Sequence, residues 1–191
     1  NTASAYAIDS LCHLFNIPVV GVIEPGAEKA VAVTKNKRIA VLGTKGTIKS
    51  GIYTKEIEKR LPGSTVIGVA CPLFVSLVEE DLIALPVTKM MVEHYLRQVK
   101  IEGVDTILLG CTHYPLLQKL IQDEVGDHIT IVDSASICAE KVKSLLTSQS
   151  LENKSLDPKY TYVVSDDPEK FALLGSAFLG KPISEVATSS T

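Results

Sequence analysis

This chain has no basic cluster, no paired cysteines and no apolar run of membrane-spanning length, and each absence removes a class of function. At a formal net charge of −3, its lysines and arginines form no electropositive stripe, which excludes nucleic acid as an obligate partner. A membrane-spanning helix takes about 20 consecutive apolar residues, so no membrane association is expected. The opening residues lack a basic n-region and a small-residue cleavage site, so no secretory signal is expected there. Cys12, Cys71, Cys111 and Cys138 lie too far apart for a zinc ribbon or a C-x-x-C redox motif. With 46% hydrophobic content the chain can build a core without a disulfide framework, and a reducing cytoplasm is the expected location. A metal centre needs three or four ligands, whereas Cys111 with His113 supplies two, so no metal is expected. A pyridoxal phosphate enzyme needs a Schiff-base lysine beside a phosphate cup, and Lys45 alone is thin support, so no cofactor is expected.

What is present is a repeating alternation of short apolar runs and helical patterns. Ala3 to Leu14 has helical spacing, with Cys12 expected in the core. Strands are expected over Pro18–Ile23, Ile39–Leu42, Thr65–Ala70, Thr106–Leu109 and Ile129–Val132. Helices are expected over Ala27–Val33, Ile48–Leu61, Cys71–Glu80, Val87–Val99, Leu116–Glu124 and Ala135–Leu146, the last capped by Asp133-Ser134 and burying Cys138. Such alternation implies βαβ units on a parallel sheet, an α/β fold whose function gathers at the carboxyl ends of its strands. Leu151 to Leu156 reads as a polar connection. Tyr160–Val164 reads as an edge strand, Pro168–Leu179 as a helix ending at Gly180, and the Ser/Thr-rich residues from Val186 as frayed.

The most informative stretch is Gly110-Cys111-Thr112-His113-Tyr114-Pro115-Leu116-Leu117, placed where a strand ends and a helix begins. A thiol becomes a useful base or nucleophile beside a positive charge, a base or a helix N-terminus, and this segment offers His113 and the helix. Gly110 permits close backbone approach, and Pro115 fixes the helix start. Cys71, apolar-flanked and followed by proline, reads as structural. Gly43-Thr44-Lys45-Gly46-Thr47 has neither the G-x-x-x-x-G-K-[ST] nor the G-x-G-x-x-G spacing, so a nucleotide loop has weak support. A smaller anion such as a carboxylate fits better, with Thr44 and Thr47 supplying hydroxyls. A small-anion or nucleotide-binding α/β module therefore stands as the alternative to an enzyme. Glu79-Glu80-Asp81, on pattern alone, reads as a solvated helix end.

Taken in order, Asn-Thr-Ala-Ser, Val-Ile-Glu-Pro-Gly, Val-Leu-Gly-Thr-x-Gly-Thr-Ile-x-Ser, Ala-Cys-Pro-Leu-Phe-Val-x-Leu-Val-Glu, Leu-Gly-Cys-Thr-His-Tyr-Pro-Leu-Leu and Val-Asp-Ser make the chain resemble the glutamate racemases of the aspartate/glutamate racemase superfamily. The resemblance implies cofactor-independent interconversion of L- and D-glutamate by two cysteines on opposite faces of the α-carbon, serving peptidoglycan synthesis. It assigns the second cysteine to Cys111, its assisting base to His113 and a pocket carboxylate to Glu79. Asn1, Thr2 and Thr112 match positions that hold the substrate's carboxylate and amine, while Thr44 and Thr47 match a threonine-rich rim. The implied fold is two Rossmann-like α/β domains with mostly parallel sheets facing across a cleft. Residues 25–133 are expected to form one domain; residues 1–24 and 134–191 belong to the other. The resemblance places the first cysteine one residue before Asn1. The chain opens without methionine, directly in a helical pattern. It is accordingly expected to be the C-terminal part of a longer enzyme, inactive by itself and exposing apolar surface. A homodimer is expected for the whole enzyme. Another superfamily member, acting on aspartate or a hydantoin, is the near alternative.

Overall fold

The computed structural model describes residues 1–155 and 157–189, which divide into two compact units, 1–150 and 151–191. Unit 1 is built on a four-stranded, wholly parallel sheet: β1 (Arg38–Gly43), β2 (Thr65–Ala70), β3 (Thr106–Gly110) and β4 (Thr130–Asp133), in the order β2-β1-β3-β4. The central strands β1 and β3 read as near-continuous apolar runs because both of their faces are covered. Successive side chains point to opposite faces, so one sheet carries two cores. Ala40, Leu42, Ile107 and Leu109 face α5 (Leu73–Glu79), α6 (Pro86–Ile101) and α7 (Gln118–Val125). Ile39, Val41, Leu108 and Val132 face α2 (Ile23–Val33) and α4 (Ile52–Arg60), while α8 (Ser134–Ser148) packs against α2. Truncating a fully buried leucine such as Leu108 to alanine in such a layer costs about 2–5 kcal/mol.

The expected helix over Ile48–Leu61 is two helices, α3 (Lys45–Ser50) and α4. Gly51 separates them at φ +64°, a left-handed turn that glycine adopts without strain. The helix expected at Leu116 begins as a 3₁₀ turn over Tyr114–Leu117, where proline fixes φ, before α7 takes over. Asp133 caps α8 as expected, accepting from the backbone N–H groups of Ala135 and Ser136.

The expected strand at Pro18–Ile23 is absent: residues 18–22 have no regular structure and Ile23 opens α2. A strand requires a neighbour to complete its ladder, and among the described residues none pairs with this segment. The helix before it, α1 (Thr2–Leu14), has no buried residue, and Tyr6, Leu14, Phe15 and Ile17 are exposed. Cys12 lies exposed on that helix and Cys138 is only partly buried, so neither is the core residue that its spacing implied.

Unit 2 holds α9 (Pro168–Leu179), closed by Gly180 at φ +64°, with a parallel pair β5 (Val163–Val164) and β6 (Ala187–Thr188). The edge strand is thus shorter than the expected Tyr160–Val164. Residues 187–188, expected to fray, pair with it instead, through Ala187 N–H to Tyr162 C=O and Ser189 N–H to Val164 C=O. The connection expected over Leu151–Leu156 has no regular structure from 151 to 155, and Leu156 lies outside the described residues, as do 190 and 191.

Candidate active site

Because the sheet is parallel and Gly43 is in register with both Ala70 and Gly110, the strands end at one edge. The next residues, Thr44, Cys71, Cys111 and Ser134, therefore line a single rim. Cys111 is buried there at 6% exposure, and its carbonyl accepts from Tyr114 N–H as the chain turns. His113 folds back so that Nδ1 lies 3.9 Å from Cys111 Sγ and 3.4 Å from Thr112 Oγ1. The opposite ring nitrogen, Nε2, is 3.0 Å from Oε1 of Glu79, the last residue of α5. A carboxylate only accepts, so Nε2 carries the proton and Nδ1 turns its lone pair toward the thiol. Cys111, His113 and Glu79 thus form a contiguous row of side chains drawn from two sheet crossovers.

Burial pushes the Cys111 thiol above its ordinary range, while the backbone N–H groups of His113 and Tyr114 and the Thr112 hydroxyl pull partly the other way. At neutral pH it therefore rests as a thiol and needs a base to become a thiolate. Cys71, one strand beyond β1, is wholly buried; burial, then the neighbouring Cys111, raises it too. Its Sγ lies 3.6 Å from the Val69 carbonyl. This is the environment of a structural cysteine, as its apolar flanks implied.

A second cluster lies on the same rim around Thr44. Thr2 Oγ1 lies 3.0 Å from both Thr44 Oγ1 and Thr47 Oγ1, which are 3.1 Å from each other. Thr44 also caps α3 by accepting from Thr47 N–H, and Tyr6 Oη donates to Gly46 C=O at 3.3 Å. The glycine-rich loop thus holds the start of α1 through hydroxyls. Asn1 Oδ1 accepts from Tyr53 Oη at 2.5 Å and lies 3.5 Å from Ser134 Oγ.

Among the described residues, no group of three or more His, Cys, Asp or Glu is arranged to hold a metal ion. No helix is long and apolar enough to cross a membrane. The structure brings together Cys111, Thr112, His113 and Glu79, and separately Thr2, Thr44 and Thr47. Tyr53, which holds Asn1, escaped the sequence reading. A tyrosine in an amphipathic helix gives no local signal, although Val-Asp-Ser did mark Ser134 at a strand end.

The Asp/Glu/hydantoin racemase family model matches residues 1–142. The chain belongs to this racemase family. The glutamate racemase of Geobacter metallireducens is 44% identical over 187 residues, covering 97% of this chain and 69% of its own length. That of Persephonella marina is 45% identical over 187 residues, covering 96% of this chain and 68% of its own. Among solved structures, the glutamate racemase of Francisella tularensis in complex with D-glutamate superposes with a TM-score of 0.91 at 29% identity. It covers 99% of this racemase chain and 70% of that one. A glutamate racemase isoform of Bacillus anthracis gives the same TM-score at 33% identity, covering 100% and 70%. The α/β fold with a parallel sheet, expected from the strand–helix alternation, is the fold of these racemases.

Proposed function

We propose that this chain contributes one catalytic face of a cofactor-independent glutamate racemase, with Cys111 as the thiol serving that face. The observation that carries the proposal is the alignment Glu79–His113–Cys111 at the strand edge. In one direction His113 Nδ1 accepts the Cys111 proton, and the thiolate then removes the α-proton of glutamate. A thiol on the opposite face, which the family pattern assigns to the residue before Asn1, delivers its proton to the other side of the α-carbon. Cys111 ends protonated by the α-proton, His113 ends holding the proton it took from Cys111, and the counterpart ends as the thiolate. Release of the His113 proton to solvent and reprotonation of the counterpart restore the starting state, and the configuration is inverted. In the reverse direction Cys111 starts as the thiol and donates.

Asn1, Thr2, Thr44, Thr47 and Thr112 form the polar lining that receives the substrate's carboxylate and amine. N–H and O–H donors serve a carboxylate because it accepts only. Residues 25–133 form one domain of the enzyme, and residues 1–24 and 134–191 contribute to the other. The enzyme acts as a homodimer in the cytoplasm, supplying D-glutamate for peptidoglycan synthesis.

The test is circular dichroism of L- and of D-glutamate incubated with the complete protein, with aspartate and ATP-binding controls. Decay of both glutamate signals to the racemic baseline, with no change in aspartate, supports the reading. Racemisation of aspartate alone moves the assignment to another superfamily activity, and nucleotide binding without racemisation overturns it.

A further inference from the structure

Tyr53 projects from α4 into the core beneath the strand edge, with 3% of its surface exposed. Its ring runs along the backbone of β3: a Cβ placed on Gly110 would lie 3.0 Å from Tyr53 Cε2. On the ring's other edge, a Cβ on Gly26 would lie 3.6 Å from Cε1. The ring is therefore seated against the residue that precedes Cys111. Its hydroxyl emerges from this apolar wall and donates to Asn1 Oδ1. Ser134, 1% exposed, gives its proton to the Leu109 carbonyl at 2.8 Å and stands behind the same amide oxygen.

We infer that Tyr53 is a positioning residue that locks the Asn1 amide with its oxygen inward and its Nδ2–H groups toward a carboxylate of the substrate. This rests on the racemase reading and extends it to a residue outside the motifs. A buried phenol must place its proton on an acceptor. Ser134 has committed its single proton to Leu109, so it cannot compete with Tyr53 as donor to the amide. Burial, the largest influence, raises the Tyr53 phenol well above its ordinary range, so it remains a donor at every working pH. With Oδ1 turned to the Tyr53 hydroxyl, the Nδ2–H groups lie on the opposite side of the amide. Since the same ring abuts Gly110, Tyr53 also sets the spacing between the anion donor at Asn1 and the thiol at Cys111. Displacement of a reacting group by about 1 Å can cost about 10²-fold in rate, which is why such a spacer matters.

The experiment is a double-mutant cycle on the complete protein, with KM and kcat measured in both directions. Tyr53→Phe keeps the ring and removes the hydroxyl. It is expected to raise KM for both glutamate enantiomers about tenfold, the scale of one hydrogen bond, with kcat moving less. In an Asn1→Ala background Tyr53→Phe should leave KM unchanged, because nothing remains to be positioned. An unchanged KM in the single variant, or an equal KM rise in both backgrounds, overturns the assignment. Should Tyr53→Phe fail to fold, Asn1→Asp against Asn1→Ala reads the same orientation. The carboxylate keeps an acceptor for Tyr53 but turns oxygen toward the substrate, so Asn1→Asp must bind glutamate more weakly than Asn1→Ala; equal or tighter binding overturns the assignment. Failure of the wild-type protein to racemise glutamate would instead overturn the functional reading itself, a distinct result.

Discussion

His113 Nε2 lies 3.0 Å from Glu79 Oε1, which leaves Nδ1 as the ring's acceptor on the side of Cys111. The carboxylate arrives from α5, 34 residues earlier in the chain, and fixes both the tautomer and the ring plane. Glu79→Gln would keep an oxygen at that position but remove its charge. It is expected to lower kcat about 10- to 100-fold, the scale of one charge-assisted hydrogen bond, with little change in KM. Steady-state rates in both directions check this; a loss confined to KM would make Glu79 a binding group.

His113→Asn is expected to lower kcat about 10²- to 10⁴-fold, the range of general-base assistance. The loss should be greater in the direction where Cys111 starts as the thiolate. Thr112→Ala, which removes a hydroxyl from the lining, should act mainly on KM. Progress curves from each enantiomer separate the two, and an unchanged kcat in His113→Asn with raised KM would reverse the roles.

The pH dependence follows from the buried thiol. Burial holds Cys111 protonated to higher pH than an ordinary cysteine, whose value is about 8.5. In the direction that needs its thiolate, kcat/KM should still be rising above about pH 8.5; in the opposite direction it should fall through the same alkaline range. Profiles for the two enantiomers that both level off below that range would show that Cys111 is not the titrating group.

Stability at acid pH should depend on Asp105, immediately before β3. Burial alone would raise this carboxyl, but donation from the Thr34 hydroxyl, the Asn36 and Lys35 backbone N–H groups and the Thr106 hydroxyl lowers it overall. A carboxylate lowered on folding contributes stability above its unfolded value of about 3.9, and that contribution is lost as pH falls through the lower folded value. Asp105→Asn should cost about 1–3 kcal/mol at pH 7 and flatten the acid limb of the stability curve. Urea melts of both proteins between pH 7 and the acid limb check this, and parallel curves would contradict it.

The parallel sheet was legible because β1 and β3 are apolar on both faces, a pattern that few other arrangements satisfy. Pro18–Ile23 has an equally apolar sequence yet forms no strand, because a strand is completed by a neighbour and not by its own residues. The same logic applies at the site. Cys111 and His113 are two residues apart and could be read together, whereas the carboxylate at Glu79 meets them only through the crossover from β2 to β3. The family resemblance, not its place in a charged run, singled it out. Tyr53 was illegible for the same reason: its partners, Asn1 and Gly110, are 52 and 57 positions away.

Circular dichroism of glutamate racemisation by Cys111→Ala, in the complete protein, tests the central assignment most directly. The account predicts no racemisation of either enantiomer by Cys111→Ala, with an unchanged melting temperature and near-normal rates for Cys12→Ala and Cys138→Ala. Retained racemisation in Cys111→Ala, or equal loss in all three variants, would contradict it.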